Sequence, residues 1–185
     1  MAMNTGQPAA GFPKLTSDWM VANPLVGSFG TLDTQASARK TVVALTRNGT
    51  ALAYSTAAGP CSASSWPRFH HDNANSGYYD RDAVAPGRPD GARIAAGSLT
   101  FTAPGDDLMC GRVSRYQLAQ SDSPITAANF GQAAPLTPAQ PVTPVDPGGT
   151  QTIALPAGTA RYVAVRAVDD QGNVGRPAAV KVKSG

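Results

Sequence analysis

Charge is scarce in this chain: Asp, Glu, Lys and Arg make up 15% of 185 residues, aromatic residues only 6%, and there are two cysteines and two histidines. The formal charge of +3 comes mainly from scattered arginines. Without a Lys/Arg run, or a basic stripe interleaved with aromatics, the chain has no nucleic-acid footprint. No apolar run reaches the ~18 residues of a membrane span, and no charged segment leads into an apolar core as in a signal peptide. No window sustains helical periodicity. No serine sits in a G-x-S-x-G element and the cysteines form no C-x-x-C pair, so neither a nucleophile elbow nor a thiol redox motif is present. The expectation is a module without catalysis of its own.

What is abundant is turn and short-strand sequence. Gly 19 and Pro 16, with hydrophobic residues at 42%, favour many short strands and an all-β chain of two small domains. Residues 1–11 read as a loose terminus, and Met1 to Asn4 as an expression start joined to the interior of a longer protein. From Phe12 the runs WMVANPLVGSFG, KTVVALTRNG and TALAYST are strand-like. Asn48-Gly49 predicts a type I′ hairpin over Thr41–Thr56, because that turn needs positive φ at both central residues. Asn48-Gly49-Thr50 also matches a glycosylation acceptor, but the tight turn is the simpler reading. Val21, Leu25, Val43, Leu45, Leu52 and Tyr54 put apolar groups on both faces of this small sheet. Such a sheet predicts a partner-binding face, filled by upstream domains of a parent protein or by self-association. Cys61 to Pro89 reads as a junction, with the domain boundary near residue 87 where Pro86, Gly87 and Pro89 exclude helix.

Two stretches resemble known families. The order GFPKLTSDWMVANPLVGSFG, TVVALTRNGTALAYST, SSWPRFHHDNANSG, over about residues 11 to 80, resembles the last blade of an FG-GAP or quinoprotein-like β-propeller. The loop after Gly30 keeps only Asp33 of that family's calcium motif, so no calcium site is carried over to the blade. LTFTAPGDD, VSRYQL, SDSPITAANF and TIALPAGTARYVAVRAVDDQGNVGRPAAV, over about residues 88 to 184, are similar to bacterial fibronectin type III domains. Phe101 stands where that family places a core tryptophan. Arg161 stands where it places its corner tyrosine, with Tyr162 one position late. The resemblance implies a propeller-like antiparallel blade (12–87) joined to a fibronectin type III-like β-sandwich (88–185). It also implies a structural or docking role at the end of a larger secreted bacterial hydrolase or adhesin.

Three constellations remain to be weighed. Cys61 and Cys110 are expected to form a disulfide, as an isolated cysteine pair does in an extracellular chain; the alternative is two buried thiols in a reducing compartment. Asp106 and Asp107 follow one sandwich strand, and Asp169, Asp170 and Asn173 follow another. By the resemblance these loops emerge at the same end, so their hard oxygens are a candidate calcium set, although Asp and Asn are also ordinary turn formers. His70-His71-Asp72 is the candidate for a metal-dependent hydrolase. In an extended strand, however, adjacent histidines point to opposite faces and cannot share one ion. A carbohydrate or cell-wall binding role would draw on the stacking faces of Trp19, Trp66, Tyr78 and Tyr79.

Overall fold

The computed structural model describes residues 11, 13–28, 39–64, 66–72, 74–82 and 84–182. The expected loose terminus therefore lies almost wholly outside the described residues, as does Asp33. The chain divides between Tyr79 and Asp80, not near residue 87. Backbone bonds explain the earlier division. Gln171 bonds the Asp82 N–H and the Asp80 carbonyl, Asn173 donates to the Asp82 carbonyl, and Gly87 N–H donates to Gly105 and Leu108 carbonyls. Residues 80–87 are thus stitched into the second unit.

The first unit holds one antiparallel three-stranded sheet, β1 (Leu25–Gly27), β2 (Thr41–Leu45) and β3 (Ala51–Ser55), in that order. The hairpin forms where Asn48-Gly49 predicts it, but its turn differs. Gly49 takes φ +85 while Asn48 is not among the positive-φ residues. The Asn48 side chain accepts from Thr50 N–H and Thr46 Oγ1, and Gly49 N–H donates to the Thr46 carbonyl. Those bonds hold Asn48 in ordinary backbone and make a longer loop with glycine in the left-handed position. Beyond β1 the pairing reaches back through a Met20–Thr46 bridge, with Arg47 N–H donating to the Trp19 carbonyl.

Register sorts the side chains of this sheet. Leu25 pairs with Val43, Val43 with Ala53 and Leu45 with Ala51, so these share one face; Val42, Ala44, Leu52 and Tyr54 share the other. Ala44 is buried, and Val42, Leu52 and Tyr54 are half-buried. Lys14 lies over the Tyr54 ring and the Tyr54 hydroxyl donates to the Leu15 carbonyl. The apolar residues expected on both faces are sorted by this register: Leu52 and Tyr54 belong to the partly covered face, Leu25, Val43 and Leu45 to the open one, and Val21 lies exposed ahead of β1.

The second unit packs two antiparallel sheets on one core. One sheet orders β10 (Ala178–Lys181), β9 (Tyr162–Val168), β6 (Arg115–Ser121) and β7 (Ala134–Pro135); the other orders β4 (Asp90–Ala95), β5 (Ser98–Thr102) and β8 (Thr150–Ala154). Leu99, Phe101 and Ile153 from the second meet Leu118, Val163, Val165 and Ala178 from the first. Phe101 is fully buried with its ring set edge-on to Tyr116 at 5.1 Å. Burying side chains of this size contributes about 1.5 to 3 kcal/mol each. The alternation of β9 continues outward: Ala164 joins Ala119, Ile125 and Phe130 in a second cluster, and Arg166 stacks on Phe130 at 4.3 Å. Tyr162 packs against that cluster at the start of β9.

Two further segments shape this unit. Within RIAAGSLTFTAP, Ala96 (φ +47) and Gly97 (φ +73) make a tight turn that separates β4 from β5. The proline-rich passage 133–149 contributes the short edge strand β7 and buries Leu136, with Ala139 N–H donating to the Ala154 carbonyl.

Candidate functional site

Three loops of the second unit converge because glycines let their backbones touch. A Cβ on Gly87 would run into the Leu108 carbonyl, one on Gly105 into the backbone of Met109 and Cys110, and one on Gly175 would lie 2.6 Å from the Pro86 carbonyl. Any larger residue there forces these loops apart. Close approach brings Asp82, Asp106 and Asp170 together, with carboxylate oxygens all within 4.8 Å of one another. Among the described residues this is the one group of three or more His, Cys, Asp or Glu side chains able to share an ion.

The electrostatics of that group are unfavourable to a bare carboxylate. Burial first, and then the charges of Asp170, Asp169 and Asp82, raise the Asp106 carboxyl from its usual 3.8 to about 6. Its Oδ1 is sealed from solvent and has no hydrogen-bond partner. A buried acceptor without a donor is costly, and a hard cation would satisfy it directly. The residues present thus fit a calcium-type ion.

The set differs from the expected one in membership. Asp106 and Asp170 do meet, but Asp169 is fully buried and committed to Asn173, accepting from its backbone N–H at 2.7 Å and its side-chain amide at 2.7 Å. Asn173 spends its amide on Asp169 and the Asp82 carbonyl. Asp107 is exposed and exchanges backbone bonds with Cys110, outside the cluster. Asp82 replaces them. It lies in a segment that reads as a linker, and no local pattern marks it as a ligand.

In the first unit, His70-His71-Asp72 is not extended. His70 (φ +53) and His71 (φ +72) are both left-handed, so strand alternation does not describe them. Their rings nevertheless go to different neighbours, His70 to Phe69 at 4.0 Å and His71 to Trp66 at 5.2 Å. Asp72 is buried and accepts from the Ala74 and Ser76 N–H groups and the Ser76 hydroxyl. That carboxylate organises its own loop, and it belongs to no ligand cluster among the described residues. Cys61 and Cys110 are disulfide-bonded. The chain matches no protein-family model and no curated protein. No helix among the described residues is long and apolar enough to cross a membrane.

Proposed function

We propose that this chain is a non-catalytic docking module of a larger secreted bacterial protein, a propeller-like blade joined to a fibronectin type III-like sandwich. The observation that carries the reading is the open face of the small sheet. Leu25 is 39% exposed and Leu45 47%, with Ala51 and Ala53 exposed beside them. A sheet of three short strands cannot close a core of its own, and alternating large and small apolar residues suit packing against a second sheet. Its occupant is another apolar sheet face, supplied in the parent by upstream domains and in the isolated chain by a second copy. The disulfide supports an oxidising compartment. Sedimentation velocity across a concentration series tests this: wild type self-associates and Leu45→Asp shifts it to monomer. A strictly monomeric wild type that binds no apolar dye ends the docking reading.

A second observation favours calcium as a structural ion of the sandwich-like unit. It is Asp106, which has one buried oxygen without a hydrogen-bond partner and whose carboxylate groups with those of Asp82 and Asp170. Bound calcium would neutralise the repulsion and hold the converging loops. Calorimetric titration with calcium is expected to give a binding isotherm that Asp106→Asn abolishes and Asp107→Ala leaves intact. Binding unaffected by Asp106→Asn and by Asp170→Asn would move the ion elsewhere.

A further inference from the structure

The loop from Trp66 to Tyr79 leaves large rings in water. Trp66 is 50% exposed, Phe69 54%, Tyr78 60% and Tyr79 59%. An exposed cluster of this kind on an otherwise folded surface marks a contact site. Its rings are not stacked on one another: Trp66 meets His71 at an interplanar angle of 65°, Phe69 meets His70 at 82°, and His71 meets Tyr79 at 45°. These contacts tie the rings to their histidine neighbours, and about half of each aromatic residue's surface stays open to solvent.

The loop is held in place before any ligand arrives. Pro67 carbonyl accepts from Val26 N–H, which ties the loop to β1. His70 carbonyl accepts from Asp72 and Gly77 N–H groups, and the buried Asp72 carboxylate accepts from Ala74 and Ser76. His70, His71 and Asn75 sit at positive φ, a conformation that costs non-glycine residues and concentrates at functional segments. Fixed aromatic groups lose little conformational freedom on binding.

The chemistry around the rings selects the occupant. Between Trp66 and Tyr79 the charged side chains are Arg68 and Asp72, and Asp72 is buried within its own loop. Exposed His70 and Asn75 and the hydroxyls of Tyr78 and Tyr79 offer polar donors and acceptors. We infer that this loop is a saccharide-binding platform, taking an uncharged pyranose glycan by stacking sugar C–H faces on Trp66 and Tyr79 and bonding its hydroxyls through the neighbouring polar groups. A charged polymer would find little to pair with, and a wholly apolar ligand would leave those polar groups unused. Trp19, 77% exposed beside the β2–β3 hairpin, is not part of the platform.

The chain has two tryptophans, so Trp19→Phe makes Trp66 the sole indole reporter. In that background, titration with soluble xylan, β-1,3-glucan and chitin hexasaccharide is expected to give a saturable change in Trp66 emission for at least one glycan. Affinity electrophoresis should show that Trp66→Ala or Tyr79→Ala weakens retardation by about tenfold or more, as loss of a stacking contact does, while Trp19→Ala does not. Intact disulfide and an unchanged thermal midpoint establish that each variant is folded. Should Trp66→Ala fail that check, Trp66→Phe with partial retention and the emission change carry the test. Absence of binding to all three glycans, or binding indifferent to Tyr79→Ala and to every Trp66 variant, overturns the proposal. Binding to a protein partner with none to glycans overturns it equally.

Discussion

Asp106 is acted on by burial and by three other carboxylates at once, and each influence disfavours its charged form. Its folded pKa, raised to about 6, lies above the usual 3.8, so between those values the folded chain holds more protons than the unfolded one. Stability then falls as pH rises through the window, and the full penalty is present above it. A rise of that size corresponds to about 3 kcal/mol for a group fully removed from water. Solvent screening of a partly exposed carboxylate reduces this to about 1 kcal/mol. In chelator, urea titrations of wild type are expected to show the midpoint dropping from about pH 4 to about pH 6.5, the window that brackets the two values. Asp106→Asn removes that part of the slope and is more stable than wild type at neutral pH. The same substitution is expected to abolish calcium binding, and a gain in stability with a loss of binding cannot come from misfolding. Parallel pH profiles for the two proteins would show that Asp106 carries no such penalty.

At the level of elements, the sequence announces what local chemistry dictates and conceals what tertiary approach decides. Asn48-Gly49 marks the hairpin correctly, because glycine supplies left-handed backbone wherever it stands; the turn type depends on Asn48 bonding to Thr50, which spacing alone does not reveal. Ala96-Gly97 leaves no such mark because alanine seldom takes positive φ, so β4 and β5 look like one strand. The alternating runs of β6, β8 and β9 are legible from their period. Loops carry no period, which is why the carboxylate cluster is only half visible. Asp106 and Asp170 follow β5 and β9, strands of the two sheets that pack on one core, whereas Asp82 arrives through contacts at Gly87 and Gly175 that depend on the absence of a side chain. His70 and His71 look extended for a related reason. Their left-handed backbone is imposed by Asp72 and by the His70 carbonyl bonds, and histidine has no strong local preference that would signal it.

For the whole molecule, the disulfide acts on the chain irrespective of how any surface packs. Cys61 precedes the boundary between Tyr79 and Asp80 and Cys110 follows it, so the bridge closes a chain loop that contains the boundary. In the unfolded ensemble it removes the freedom of a segment of about 50 residues, which the chain-entropy model values on the order of 4 kcal/mol. Neither cysteine side chain is needed as core filler, since Cys61 is exposed and Cys110 half-buried; the contribution should therefore come mainly from the crosslink. The prediction is that both thiols resist alkylation under denaturing, non-reducing conditions. After reduction, or in a Cys61→Ser/Cys110→Ser variant, the free energy of unfolding in urea is expected to fall by about 2 to 4 kcal/mol. The comparison between the reduced wild type and the double serine variant isolates the crosslink: if entropy of the open chain is the cause, the two lose stability equally. A reduced protein as stable as the oxidised one would mean that the loop is already restrained without the bridge. Alkylation of both cysteines before reduction would remove the bridge itself and, with it, the support it lends to an extracellular role.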